Sequence, residues 1–503
     1  MGTGIAQVAA LAGHPVLLLD AAPERARAGV AAVRRSLDRL VERGRLGVAD
    51  ARAAHGRVRA VDSLAAVGDS ALVVEAVAES LDAKRTLFAA LEDVVAPDTV
   101  LATNTSSLSV TDIAAGLHRP GRCAGLHFFN PAPVMRLVEV VAGDRTDPAV
   151  TAEIADLVTA WGKTPVHVRT SPGFIVNRVA RPFYGEAMRL LEHGVDPATV
   201  DAVLRECGGF PLGPLELTDL IGQDVNLATT RSVWEQTGRD PRFEPAPVQV
   251  ELVASGHLGR KTGRGFYEGS GSSEGAGPSA RASTARRGPT RPAAAEAPSS
   301  VAPSRVRVRG DWGPWAPLWD RVRTAGVVVE EGPTSGAPVA ELDGGLLVPT
   351  RGRTATDCAE SDGDPVVVLD LAGDAATTRR WAVAACDGCP PAALDRAVGL
   401  LQATGAAVTV LPDVPGLLVA RTVALLVDEA CDVVGRGVAS ASDVDTAMRL
   451  GAGYPRGPLE WGERIGPHRV AALLDALAPT NARYRVSPTL RAAVRDGRSL
   501  REL

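Results

Sequence analysis

The chain has 503 residues, enough for three or four domains, and its 45 % apolar content can bury a sizeable core. A formal charge of −5 excludes the basic excess that broad nucleic-acid binding requires. No run of eighteen or more uncharged apolar residues and no signal-peptide pattern occurs, so a cytoplasmic protein that does not act at a membrane is expected.

Six cysteines make no disulfide framework. The single C-x-x-C, Cys386 and Cys389, has no second pair, so it reads as surface thiols and no metal is expected. Only Lys84, Lys163 and Lys261 among the 54 basic residues are lysines. Such survivors mark places where a compact ammonium does what a flat guanidinium cannot.

The opening stretch, "MGTGIAQVAALAGHPVLLLD", places Ile5, Val8, Ala9 and Ala12 at helical spacing. Gly13 follows where a helix end needs positive φ, and residues 16–19 form a short apolar strand closed by Asp20. Helix, tight turn, buried strand and terminal acid are the later parts of a dinucleotide-binding βαβ crossover. An acid at that strand end accepts hydrogen bonds from the adenosine ribose, and favours NAD because a 2′-phosphate would meet like charge. The plainer reading of Asp20 is a solvated turn residue.

Five charge-poor runs follow: "ALVVEAV", "TVLATNT", "CAGLHFFN", "MRLVEVVAG" and "TPVHVRT". They predict the strands of a sheet covered on both faces, an α/β domain over residues 1–170. In "ATNTSSLSV" one of Thr105, Ser106 and Ser107 is expected to cap the next helix, while another hydroxyl faces the C-terminal sheet edge, where such folds bind ligands. His127 ends one predicted strand and Glu139 lies in the next. A carboxylate on one imidazole nitrogen fixes the tautomer and leaves the other nitrogen for proton transfer. The alternative is two unpaired structural residues.

At Ser171 the texture becomes helical, and residues 171–268 read as an all-α domain. Asn177 lies in its first turns, beside the joint with the α/β domain, where substrate clefts usually form. Residues 269–304 are Gly/Ser/Ala/Pro-rich and predict a flexible linker. Residues 305–411 form a second, degenerate Rossmann-like α/β region without a glycine fingerprint, followed by a second helical domain (412–480) and a tail (481–503). The helical part is a repeat. "SPGFIVNRVARPFYGEAMRLLEHGV" lies on "VPGLLVARTVALLVDEACDVVGRGV", and "GGFPLGPLELTDLIG" on "AGYPRGPLEWGERIG", with Ala420 standing where Asn177 does.

"TNTSSLS", "HFFNP", "LVEVV", "SPGFIVNR", "FPLGPLEL" and "KTGRGFY", in that order, resemble the 3-hydroxyacyl-CoA dehydrogenases over residues 1–268. The likeness implies an N-terminally truncated Rossmann domain joined to an all-α domain. It makes His127 the catalytic base, Glu139 its orienting partner, and Ser106 and Asn177 contacts to the reacting end of an acyl-CoA. It makes Gly2, Asp20, Glu79, Lys84, Asn104, Ser106 and Lys261 contacts to NAD, and Ser36 and Arg43 contacts to coenzyme A. The family loop reads G-A-G-x-M-G after a strand. Met1 and Gly2 match its last two positions, so the strand and first two glycines are expected upstream in a longer natural protein, with weak NAD binding without them.

The second half is similar to long bacterial members tied to phenylacetate breakdown, which implies 3-hydroxyadipyl-CoA as substrate. It is expected to be non-catalytic, with the helical domains forming either a homodimer or an intrachain pseudo-dimer. The competing readings are a 3-hydroxybutyryl-CoA dehydrogenase and a non-catalytic CoA-thioester-binding pseudoenzyme.

Overall fold

The computed structural model describes residues 1–269 and 293–503, so the middle of the predicted linker lies outside the described residues. The chain divides into two units: Met1–Arg178 with Val433–Ala452, and Val179–Asp432 with Gly453–Leu503.

In the first unit, α1 (Gly2–Leu11) buries Ile5, Ala6, Val8 and Ala9. Gly13, at φ 100°, then turns the chain into β1 (Val16–Leu18). After α2 (Pro23–Glu42) and α3 (Val48–Gly56), β2 (Val58–Ala60) pairs in parallel with β1 as a separate two-stranded sheet.

A five-stranded sheet follows in chain order: β3 (Leu72–Glu75), β4 (Val100–Thr103), β5 (Cys123–Phe128), β6 (Leu137–Ala142) and β7 (Thr164–Arg169). Its pairings are parallel except the antiparallel β5–β6. On one face Ile5, Leu126, Phe128 and Val140 pack with Val150, Ile154 and Val158 of the helix Pro148–Ala160. On the other, Phe88 and Leu91 of α4 (Leu81–Glu92) pack on Leu101, Ile113 and Cys123. Two covered faces explain why β4, β5 and β6 read as apolar runs without alternation, while the edge strand β7 exposes His167 and Arg169 in alternation with buried valines.

The helix Ala441–Gly451 of the second repeat belongs to this unit and packs on β6 and β7. Its last residue comes very close: a Cβ on Gly451 would lie 2.5 Å from Leu137 Cδ2 and 2.9 Å from Val176 Cγ2.

The second unit holds a seven-stranded mixed sheet, from β8 (Arg305–Arg309) and β9 (Val328–Glu331) through β10 (Val339–Leu342), β11 (Gly345–Pro349) and β12 (Val366–Leu369) to β13 (Arg380–Ala385) and β14 (Ala407–Val410). Here the two helical repeats pack on each other. Glu186 of the helix Arg181–Leu191 receives Arg421 at 2.9 Å and the Tyr484 hydroxyl at 2.8 Å. Its repeat equivalent Glu429 receives Arg242 at 2.7 Å. Equivalent glutamates receiving cations from the opposite copy make the contact reciprocal, as in a twofold dimer.

Two expectations change. Residues 481–503 are not a tail: they carry the helix Pro488–Asp496 and bury Tyr484, Leu490 and Leu500. They repeat the apolar pattern of residues 240–256 with few identical residues, which hid them. Cys386 is buried and Cys389 half-buried, so the C-x-x-C does not lie on the surface. Among the described residues no helix is long and apolar enough to cross a membrane.

Candidate active site

The antiparallel register of β5 and β6 sets His127 directly opposite Glu139. Directly opposed residues leave the same face of a sheet, within reach of each other. His127 Nδ1–H donates to Glu139 Oε2 at 2.6 Å, with the residues 6 % and 0 % exposed. The other oxygen, Oε1, accepts the Ile175 and Val176 N–H groups, both at 3.1 Å.

Those two amides open the helical turn Val176–Val179. They reach the carboxylate because Gly173 (φ 72°) and Phe174 (φ 50°) both adopt left-handed backbone. A buried carboxylate would be costly alone; here both oxygens are engaged. Phe129 and Phe174 flank the imidazole at 4.5 and 5.9 Å between ring centroids. Among the described residues Nε2 has no protein partner, so it is the nitrogen open to a ligand.

The loop after β4 supplies the second half of the site. Asn104 Oδ1 accepts the Phe128 N–H at 2.9 Å and ties this loop to the end of β5. Glu79 Oε1 gathers the next three residues. It accepts Thr105 Oγ1–H at 2.6 Å, Ser106 N–H at 3.0 Å, and Ser107 N–H and Oγ–H at 3.2 and 2.9 Å. Burial pushes the Glu79 carboxyl up, but these bonds and the charge of Lys84 outweigh it and hold it below its ordinary range.

Asn177 Nδ2–H then donates to the Ser106 carbonyl at 3.3 Å. The four predicted catalytic residues therefore fall into two bonded pairs, His127 with Glu139 and Ser106 with Asn177. None of Thr105, Ser106 and Ser107 caps the following helix Val110–Ile113, contrary to expectation: Ser109 does so, accepting the Asp112 N–H at 3.1 Å. The Thr105 and Ser107 hydroxyls and the Ser106 and Ser107 amides are already committed to Glu79.

The expected cofactor residues divide. Gly2 opens α1, and Asp20 is exposed beyond β1, its Oδ1 accepting the Ala22 N–H at 3.0 Å. Lys84 is 1 % exposed. Its ammonium donates to both oxygens of Glu75, at 2.7 and 2.9 Å, and lies 3.3 Å from Glu79. It is a clamp behind the loop and presents no charge at the surface of the site. Lys261 belongs to the second unit and pairs there with Asp224. Ser36 is half-buried and Arg43 exposed, on α2 and just past its end.

Glu75 was missed in the sequence, and Thr105, a candidate cap or ligand-facing hydroxyl there, instead donates to Glu79 at 2.6 Å. The signal for Glu75 was an acid closing the apolar strand of "ALVVEAV". Lys163, unassigned from sequence, buries its ammonium and donates to the Ala132 and Met135 carbonyls at 2.6 and 2.8 Å, holding the loop that leaves β5.

Comparison with known proteins places this geometry. Residues 1–171 match the family model "3-hydroxyacyl-CoA dehydrogenase, NAD binding domain". Residues 173–269 and 416–502 match "3-hydroxyacyl-CoA dehydrogenase, C-terminal domain". Residues 347–415 match "3-hydroxybutyryl-CoA dehydrogenase reduced Rossmann-fold domain". The chain is 42 % identical to the 3-hydroxyadipyl-CoA dehydrogenase of Escherichia coli over 95 % of its own length and 91 % of that protein. It is 39 % identical to a 3-hydroxybutyryl-CoA dehydrogenase of Bradyrhizobium diazoefficiens over 53 % of this chain and 92 % of the relative. A crystal structure of a 3-hydroxybutyryl-CoA dehydrogenase from Escherichia coli K12 superposes with a TM-score of 0.86, at 40 % identity, covering 99 % of this chain and 97 % of that one.

Proposed function

Since the chain belongs to the 3-hydroxyacyl-CoA dehydrogenase family of NAD-dependent oxidoreductases, we propose that it oxidises (3S)-3-hydroxyadipyl-CoA to the 3-oxo thioester, with His127 as the base. The observation that carries this reading is the buried His127–Glu139 pair, with Nε2 open to a ligand beside the Ser106–Asn177 pair.

Glu139 holds the proton on Nδ1, so Nε2 accepts the proton of the substrate 3-hydroxyl. In reduction the same nitrogen, protonated, returns it. Phe129 and Phe174 pack on the ring and keep bulk water from it. Asn177, already bonded to the Ser106 loop, orients the reacting carbon together with the Ser106 hydroxyl.

The donor set fits NAD. Asp20 would hold the ribose diol through a carboxylate oxygen, Gly2 at the amino end of α1 would face the pyrophosphate, and Asn104, its oxygen committed to Phe128, keeps amide N–H groups to donate. Glu79 holds the loop carrying Ser106, and Lys84 holds Glu79. When bound, NAD supplies the hydride acceptor for carbon 3 of the substrate. Ser36 on α2 and Arg43 just past its end lie along a basic stretch suited to the phosphates of coenzyme A.

The adipyl substrate is favoured because the relative of that name matches both halves of the chain. The solved structure carrying the butyryl name favours the shorter substrate. Comparing kcat/KM for 3-hydroxyadipyl-CoA and 3-hydroxybutyryl-CoA decides between them. The adipyl thioester is expected to win, and a clear preference for the butyryl thioester would overturn that choice.

A further inference from the structure

The strand-to-helix joint that holds Glu139 is built a second time, in the second unit. Asp370, just past β12, accepts the Leu418 and Val419 N–H groups at 3.0 and 2.8 Å through Oδ2. Its Oδ1 accepts those of Ala420 and Leu371 at 2.9 and 2.7 Å. In the repeat, Leu418 and Val419 stand where Ile175 and Val176 do, and Leu417 (φ 50°) repeats the backbone of Phe174. Asp370 thus caps its helix as Glu139 does, but all its acceptor capacity goes to backbone and none to an imidazole.

What the second copy lacks is chemistry. Ala420 replaces Asn177, and Ala424 replaces Arg181. These two alanines line a cavity of about 330 Å³ whose other walls include Trp315, Leu371 and Leu473. Its rim carries Arg351, His468 and Arg469. A neighbouring cavity of about 460 Å³ shares Arg351 as a boundary. Two cations here are committed: Arg469 pairs with Asp311, and Arg309 with Glu341 at 3.1 Å. Arg351 is exposed and, among the described residues, pairs with no carboxylate.

We propose that this cavity is a second, non-catalytic ligand site, which takes an acyl chain between Ala420 and Ala424 and holds its anionic head on Arg351. The walls fit an aliphatic chain because Trp315, Pro338, Leu371 and Leu473 line them beside the two alanines, and the Trp315 indole N–H is already bonded to the Asp370 carbonyl at 2.9 Å. The exclusion of catalysis is equally physical: Ala420 stands where Asn177 does, and Asp370 spends its oxygens on backbone N–H groups and orients no imidazole. The head is an anion on a guanidinium, the carboxylate of a free fatty acid; in an acyl-CoA the group next to the chain is a neutral thioester, and its phosphates lie a pantetheine arm away.

The test is the number of ligands bound per full-length chain, by equilibrium dialysis with octanoyl-CoA and, separately, with octanoate. Neither carries a 3-hydroxyl, so neither is turned over. One equivalent of octanoate is expected, with octanoyl-CoA confined to the single equivalent of the His127 site. Ala424→Phe fills the cavity and should abolish this binding. Arg351→Gln, an exposed change that does not threaten the fold, should weaken it about tenfold. Turnover of 3-hydroxyacyl-CoA should be unchanged in both variants, which separates this site from the His127 site. A single equivalent of octanoyl-CoA with no octanoate, or unweakened binding in Arg351→Gln, overturns the proposal.

Discussion

Glu139 has two tasks on its two oxygens, and an amide at that position cannot perform both. In Glu139→Gln the amide oxygen can serve the Ile175 and Val176 N–H groups, but the NH2 then faces Nδ1 and forces the imidazole into its other tautomer. Nε2 becomes a donor and can no longer accept the hydroxyl proton. We expect kcat to fall about 100-fold and stability to drop by about 1–3 kcal/mol. Steady-state kinetics with urea unfolding checks both; an unchanged kcat would remove the dyad from the mechanism.

Glu79 gives a pH signature. Its folded carboxyl lies below the ordinary range, so its stabilising contribution is present above the unfolded value and is lost as pH falls through the folded one. Glu79→Gln should therefore show a smaller fall in thermal midpoint below about pH 4 than the parent. An identical acid limb would mean that Glu79 is not held as described. His127 and Glu139 were legible because each sat in a distinctive string. Lys84 was legible as important but not in its partner, since the Glu75 bond depends on how β3 and α4 pack rather than on local pattern.

The strands β4, β5 and β6 of the first unit could be read because both faces of their sheet are covered, leaving runs with almost no charge. The strand β8, with burial alternating along "RVRVR", carries arginine at every exposed position and was not read as a strand. The helix after β4 is not capped by the three hydroxyls that follow the strand, because Glu79, many residues earlier, engages those of Thr105 and Ser107, and Ser109, directly before the helix, caps it. The loop leaving β5 tests the lysine argument. Lys163→Met leaves two carbonyls without their ammonium donor and should cost about 1–3 kcal/mol. Lys163→Arg should not rescue it, because a planar guanidinium does not fit the compact geometry. Full stability of the arginine variant by urea unfolding would show that the ammonium has no special role there.

Across the whole chain, the duplication visible in two long matches became a reciprocal packing of helical repeats about equivalent glutamates. Its full extent was hidden, because residues 481–503 keep the apolar pattern of the first copy and few of its identities. The Asp370 cap was hidden as well, since an aspartate on a different strand does the work of a glutamate. Arg242 holds buried Glu429 at 2.7 Å and reaches Asp432 at 3.5 Å, and these neighbours raise its pKa further. Arg242→Ala removes a charged hydrogen-bond donor from buried Glu429 and should cost about 1–3 kcal/mol. Thermal unfolding that shows no loss would mean that the repeats do not stabilise each other through this contact.

The measurement that bears most directly on the account pairs turnover with cofactor binding in His127→Gln. Oxidation of 3-hydroxyadipyl-CoA by NAD is followed beside a fluorescence titration with NADH. The account predicts a loss of kcat of about 100-fold or more, with NADH affinity unchanged. Turnover equal to the parent's, at equal NADH affinity, would contradict it.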